Sequence, residues 1–372
     1  MINLNAQPWP YKTWTNDEVT RVVRIPPPAP QRLALPKVYG RNELPKADAE
    51  IKELYEQKPL DLNLYTKPCA LLPGNVVLRP SEQPTVLPPT FFYGRHKWHG
   101  YIKRMSTEDD RFTYLKPIDG NKLQKHKGPV YFADADHPNV YGHVLFDMIA
   151  KLWAYAVVPK GTPVATTVKI NRTYAKMMEA LDIDPWNIVQ LNRPTLVDEC
   201  YFPGITFGRR DGIYPQAFDL FDRISQLKKQ SDVSPREKIY VSRRLLKEKR
   251  RLTNEDQVEA YYADRGFTIV HPQHHKIEDQ IAIFAGARLI AGPAGSGLHN
   301  TLFSQKDTRV LIIASSAWLH VADIFIAQEK GDLGYVFGDP LVPATDGWRT
   351  NSEWKVDMDD VALGSKQHLF LN

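Results

Sequence analysis

Cysteine is nearly missing from this chain: two residues, Cys69 and Cys200, among 372. Two cysteines build no disulfide framework, and their spacing is no zinc pattern. They read as reduced thiols of a core, the usage of a reducing compartment. No run of about 18 apolar residues occurs, so no segment qualifies as a membrane-spanning helix. Met1 to Trp14 lacks a basic region followed by an apolar one and is not a signal peptide. The expected location is cytoplasmic, with peripheral contact at the inner face of the membrane left open. A strong excess of either charge is also missing: 48 Lys and Arg stand against 43 Asp and Glu, a net +5. The densest basic run, Lys247 to Arg251, has no nucleic-acid-binding module around it, so nucleic acid is not an expected partner. An anionic substrate or an anionic membrane surface fits the mild balance.

What is present is ordinary globular material. Hydrophobic residues make up 42% and charged residues 24%, and the length allows two domains. Proline is concentrated early: 15 of the 29 lie before residue 91. Runs such as Pro26-Pro27-Pro28 forbid regular helix and favour extended chain. Residues 1–60 therefore read as a proline-rich arm, packed on the body or loose. Residues 61–230 form a first α/β domain, in which Asn75 to Leu78 and Phe91 to Tyr93 are short strands. Pro129 to Ala133 is a buried strand there, and Asn139 caps the following helix. Leu145, Met148, Ile149, Leu152 and Ala156 form the buried stripe of that helix. Strands at Val164–Ile170, Ile188–Asn192 and Thr195–Tyr201 follow, with a helix through Lys176 to Met178.

Gln226 to Pro235 is polar and reads as a linker. Residues 231–345 form the second domain. Lys238–Ser242, Thr268–His271, Arg288–Ala291 and Arg309–Ile313 are its strands. Thr253 and Asp256 form a capping box for a helix that Gly266 ends, and Ile277–Ala285 is the next helix. Residues 346–372 are a tail that packs back on the first domain. Strands alternating with helices imply a parallel sheet, with ligands beyond the carboxyl ends of its strands.

Four groups of residues on this frame carry chemistry. Gly292-Pro293-Ala294-Gly295-Ser296-Gly297-Leu298-His299-Asn300 lies between a strand and a short helix, where backbone N–H groups and a helix start favour a phosphate. A tight structural turn would look the same. Ser242-Arg243 ends a strand, and Arg251 precedes a helix with Asn254 and Glu255. Arginines so placed hold a diphosphate, or form a solvated basic loop. His143 and Asp147 share a helical face, which Lys151 extends. The pair suits a general base and its orienting carboxylate, or a hydrogen-bonded interface histidine. Asp134-Ala135-Asp136 suits a hard cation, or a turn with a capping aspartate. His271, His274 and His275 cluster without the ligand set of a zinc site. Trp318 and His320 line a pocket or simply pack.

Taken together, these residues resemble glycosyltransferase family 61. The resemblance runs from Lys238 to Ser315. It comprises Tyr240-Val241-Ser242-Arg243, Arg251-Leu252-Thr253-Asn254-Glu255, Gly266-Phe267, Glu278-Asp279-Gln280 with Phe284 to Ala287, and the Gly292–Asn300 segment. A second patch is Gly142-His143-Val144-Leu145-Phe146-Asp147. The chain looks most like the bacterial capsule and exopolysaccharide members. It departs from many members in having Ala294 where they have histidine, so any donor contact made by that side chain is missing here.

The resemblance implies a GT-B-like architecture of two Rossmann-like domains, the first on the acceptor side and the second binding the donor. It implies inverting transfer of a hexose or pentose from a nucleotide sugar, most often a UDP-sugar, to a glycan or lipid-linked oligosaccharide in surface polysaccharide synthesis. A polysaccharide-assembly complex is a further expected contact. No metal and no cofactor beyond the donor are implied. The donor would be held by Ser242, Arg243, Arg251, Asn254, Glu255, Gly292, Gly295, Ser296, Gly297, His299 and Asn300, with His143 and Asp147 as catalytic groups. The rival readings are a metal-dependent GT-A-type enzyme using Asp134 and Asp136, and a catalytically silent glycan-binding or scaffold protein.

Overall fold

The computed structural model describes residues 9–10, 20–28, 35–43, 61–73, 76–79, 85–87, 102–104, 111–114, 123–208, 212–246, 250–317, 319–341 and 353–371. The chain forms two compact units. One holds residues 1–28 and 59–220, the other 29–58 and 221–372, so the boundary falls within the helix Pro215–Ile224. Both sheets are rich in parallel pairs, as the alternation of strands and helices predicts. Among the described residues no helix is long and apolar enough to cross a membrane. The expected strand Phe91–Tyr93 and residue Trp318 lie outside the described residues.

The first unit is built on an eight-stranded sheet. Ile188–Gln190, Val164–Thr166, Gln124–Phe132 and Thr195–Pro203 pair in parallel, in that order. Leu62–Leu72 then continues antiparallel, followed by Val76–Arg79 and Thr85–Leu87, and it also takes Thr20–Ile25. Cys69 and Cys200 are free and fully buried in its core with Leu71, Val130, Phe132 and Val189.

Three local expectations for this unit need correcting. The strand expected over 164–170 stops at Thr166, where the chain turns to bring Thr166 and Thr167 to Asp134. The helix after Asp136 starts from Val140 without a side-chain cap, so Asn139 does not cap it. That helix has three parts: one α turn at Tyr141–His143, a π segment at Val144–Met148 and a 3-10 segment at Ile149–Val157. Widening and then tightening the turns rotates the buried face. Leu145, Met148, Ile149 and Leu152 are buried as expected, but Ala154 replaces Ala156, which is exposed.

The second unit has a seven-stranded sheet. Its parallel order is Thr268–Val270, Lys238–Val241, Leu289–Pro293, Arg309–Ser315, Asp332–Pro340. Lys37–Tyr39 adds in parallel to Asp332–Pro340, and Trp354–Lys355 adds antiparallel. The described parts of the proline-rich segment therefore include three strands, Trp9–Pro10 and Thr20–Ile25 in the first unit and Lys37–Tyr39 in the second. Prolines sit at their ends: Pro10 ends the first, Pro26 follows the second and Pro36 precedes the third. Proline is tolerated at strand ends, where no ladder hydrogen bond is lost.

Long-range contacts override local signals elsewhere in this unit. The polar stretch expected as a linker begins as a 3-10 helix, Ser225–Gln230, with Leu227 buried. No capping box forms at residue 253. Thr253 bonds the carbonyl of Trp354, and Asn254 exchanges two hydrogen bonds with the backbone of Val356. The expected C-terminal tail ends in a helix, Met358–His368, capped by Asp357 and packed on this unit's own strands. Trp354, Val356, Val361 and Leu369 join Tyr240, Tyr262, Leu311 and Val336 in one core. Each large side chain so buried contributes about 1.5–3 kcal/mol.

Candidate functional site

Strand order points to a candidate ligand crevice in the second unit. Lys238–Val241 lies between Thr268–Val270 and Leu289–Pro293. The chain leaves it toward one side of the sheet and then crosses to the other. Such a reversal opens a crevice beyond the carboxyl ends of the two diverging strands, where doubly wound sheets bind ligands. Ser242 and Arg243 leave the first strand there; Ala294 and Gly295 leave the second.

Arg243 and Gly295 meet at this crevice. A Cβ added to Gly295 would overlap Nη1 of Arg243 and lie 2.7 Å from its Cζ. Gly295 is extended, at φ 166°, so the space taken by the guanidinium, not the backbone conformation, calls for glycine. The 3-10 helix Ser296–Phe303 starts immediately after, with no side-chain cap. An arginine at an uncapped helix start is a setting for an anion with several oxygens. Ser296 and Gly297 are partly exposed at the same rim. Gly292 acts differently from expectation. It belongs to the strand, and a Cβ there would sit 2.6 Å from the carbonyl oxygen of Val241, so it permits two strands to approach.

Buried carboxylates aim Arg243. Glu255 Oε1 accepts from the Arg243 backbone N–H at 2.6 Å and from Ser242 Oγ at 3.2 Å. Ser242 also bonds Glu259, which pairs with Arg244 at 3.0 Å. Burial raises the Glu255 carboxyl above its ordinary value, while the Arg243 N–H opposes the shift. Ser242 and Glu255 are nearly inaccessible, at 1% and 2% exposure. They shape the turn, while Arg243 keeps part of its surface exposed.

The other expected donor residues are placed as follows. Arg251 lies on the surface, 55% exposed, paired with Glu353 at 2.9 Å. Asn254 is buried on Val356. Asn300 is buried, its amide donating to Gln280 at 2.8 Å. His299 is buried too. Its Nε2 lies 3.5 Å from Asp323 Oδ1, and its ring lies 4.6 Å from that of His320. Ligand atoms of His299, His320 and Asp323 all lie within 4.8 Å of one another. This cluster was missed in the sequence, where 21 positions separate His299 from His320 and only the chain crossing brings them together.

In the first unit, His143 and Asp147 meet as their spacing predicts. His143 Nδ1 lies 2.9 Å from Asp147 Oδ2, which also accepts from the Asp136 backbone N–H at 3.4 Å. With Nδ1–H donated to the carboxylate, Nε2 carries the lone pair of a general base. Asp147 is nearly buried and His143 keeps 29% of its side chain exposed. The pair spans the start of the π segment, an irregularity frequent at functional sites.

Asp134, the metal-ligand candidate of the rival reading, is fully buried. Its Oδ1 accepts from Thr166 Oγ1, Thr167 N and Thr167 Oγ1 at 3.1, 2.7 and 2.6 Å. It thus braces the ends of two strands. Lys151 is buried behind it, its Nζ on the Asp134 carbonyl, and burial lowers its pKa against the pull of Asp147, Asp136 and Asp134. A separate cavity of about 630 Å³, lined by Gln124, His126, Asn187 and Arg193, opens at the amino ends of the same strands.

The family model described as Glycosyltransferase 61 matches residues 141–311. The match begins at the helix that carries His143 and ends within the strand Arg309–Ser315, so it takes in both groups of residues described above. It supports the resemblance to glycosyltransferase family 61 and a glycosyltransferase activity. No curated protein matches the chain.

Proposed function

We propose that this protein is an inverting glycosyltransferase that moves a sugar from a nucleoside diphosphate donor to a glycan acceptor in surface polysaccharide synthesis. The observation that carries the reading is Arg243 seated over Gly295 at the reversal of the second sheet, beside an uncapped helix start. A diphosphate is the part of such a donor that this chemistry recognises. Arg243 and the amides of Gly295 to Gly297 would hold it, with the Ser296 hydroxyl adding a bond.

The GT-B reading is part of the proposal: the second unit supplies donor binding and the first supplies the base. His143, oriented by Asp147, would take the proton from the acceptor hydroxyl as the sugar–phosphate bond breaks. The GT-A alternative is disfavoured because three hydrogen bonds already engage the Asp134 carboxylate.

The test is calorimetry of the purified chain with UDP, GDP, CDP and dTDP, followed by donor hydrolysis without acceptor. We expect one diphosphate to bind, UDP first, with slow release of nucleotide from the matching sugar donor. Absence of binding across the panel, with glycan binding intact, would favour the silent scaffold reading.

A further inference from the structure

The cluster of His299, His320 and Asp323 is not used by the proposed transfer. The geometry points to a site for one divalent transition-metal ion, of the zinc class, held by His299 Nε2, His320 Nδ1 and the Asp323 carboxylate. The inference goes beyond the proposed function and does not depend on it.

Distance comes first. Zinc bonds imidazole nitrogen and carboxylate oxygen at about 2.0–2.2 Å, so two ligand atoms of a tetrahedral site stand roughly 3.3–3.6 Å apart. His299 Nε2 to Asp323 Oδ1 is 3.5 Å, and His320 Nδ1 to Asp323 Oδ2 is 3.9 Å. All three side chains offer a ligand atom within a 4.8 Å span. Small side-chain rotations close the remainder.

Chemistry selects the class of ion. Two imidazoles and one carboxylate suit zinc and its first-row neighbours, whereas magnesium and calcium favour all-oxygen sets. Asp323 is buried, and a cation among the three groups would offset the cost of burying a carboxylate. The Tyr335 hydroxyl donates to Asp323 Oδ2 at 3.3 Å. A hydrogen bond of this kind orients a ligating carboxylate.

Placement suggests what the ion does. His299 sits in the 3-10 helix Ser296–Phe303, and His320 and Asp323 sit at the start of the helix Val321–Lys330. One ion would tie these two helices together and brace the segment that follows Gly295. His320 keeps a quarter of its side chain exposed, which gives the ion an entry and leaves room for a water as fourth ligand.

The test uses the full chain, stripped with chelator and dialysed, then titrated with Co²⁺ and Zn²⁺. We expect one equivalent of Co²⁺ to give visible d–d absorption that Zn²⁺ displaces, and a Tm that rises with Zn²⁺, since the ion binds only the folded state. His320→Ala and Asp323→Asn should each weaken binding by roughly tenfold or more, at least the loss that follows from removing a supporting partner. His320 makes no side-chain cap at its helix, so His320→Ala tests the ligand without removing a cap. The control is the pair His274 and His275, which lies outside the cluster: His274→Ala with His275→Ala should bind as the wild type does. No bound Co²⁺, or binding lost in the control and kept in the His320 and Asp323 variants, overturns the site.

Discussion

Gly295→Ala isolates the contact of Arg243 with Gly295 on which the proposed donor binding rests. The new methyl would occupy the position of Arg243 Nη1, 2.7 Å from Cζ and 3.1 Å from Cδ. The guanidinium must swing away. Its neighbours allow this, because Arg243 is part-exposed and its backbone is held independently by Glu255. Alanine adopts the extended φ of Gly295 without strain, and replacing glycine lowers the entropy of the unfolded chain by about 0.4–1 kcal/mol. Stability should therefore stay level or rise slightly. Binding should not. Charge-assisted hydrogen bonds are worth about 1.5–3 kcal/mol, so displacing the guanidinium weakens diphosphate affinity by roughly ten- to a hundredfold.

The double variant decides between mechanisms. If Gly295→Ala acts by displacing Arg243, it adds nothing once Arg243→Ala has removed the side chain. Calorimetry on the four proteins of this cycle, with thermal melts as a folding control, measures the coupling. The expected coupling equals the whole loss seen in Gly295→Ala alone. Additive losses would mean that the glycine backbone itself meets the ligand. Unchanged affinity in Gly295→Ala would remove the diphosphate from this contact altogether.

Three further outcomes follow from the geometry. His143→Ala and Asp147→Asn should each lose turnover by roughly 10²–10⁴-fold, the usual loss of a general base, while calorimetry finds nucleotide affinity unchanged; near-normal turnover in both puts the base elsewhere. Asp134→Ala removes the acceptor of three hydrogen bonds and should cost about 3 kcal/mol in urea unfolding; lost turnover with unaltered stability would instead restore a metal-binding role to that carboxylate. His368 Nε2–H donates to the carbonyls of Val310 and Asp332, which leaves Nδ1 of the neutral ring to accept from the Tyr39 hydroxyl, and burial lowers its pKa below the ordinary 6.5. A lowered folded-state value means that this stability is present above pH about 6.5 and is lost as the pH falls through the folded value; the urea midpoint should drop over that window, and His368→Gln should flatten the drop.

The parts of the fold that were legible in the sequence are those set by local pattern. Strands buried on both faces leave continuous apolar runs, as at Arg309–Ser315, and Gly266 at φ 78° ends its helix as its position predicts. His143 and Asp147 were legible because neighbours four apart stay in reach even where a π segment begins. The misses share one cause. Thr253 and Asn254 carry a local capping signal, but Trp354 and Val356, about a hundred residues on, offer better partners. Lys37–Tyr39 pairs with Asp332–Pro340, and nothing in a proline-rich segment announces a partner so distant. Arg251 follows Arg243 closely in sequence, yet its backbone carbonyl accepts from Trp354 N–H and its side chain pairs with Glu353.

The residues that carry the family resemblance divide into those that face the crevice and those that hold its frame. Ser242, Asn254, Glu255, His299 and Asn300 are all buried, and the hydrogen bonds of Ser242, Asn254, Glu255 and Asn300 run to other protein groups. Arg243, Ser296 and Gly297 keep exposure at the rim. A motif read from sequence does not distinguish the two, because a buried glutamate that aims an arginine is as specific in type and spacing as the arginine itself. Physically they differ in how they fail. Losing Arg243 would remove the proposed contact with the diphosphate and leave the turn intact. Losing Glu255 leaves the Arg243 N–H without this acceptor and takes one of two carboxylates from Ser242 Oγ, so the turn relaxes and the arginine loses its aim. The second loss reaches binding only through the first, and a variant lacking both should bind no worse than one lacking Arg243 alone.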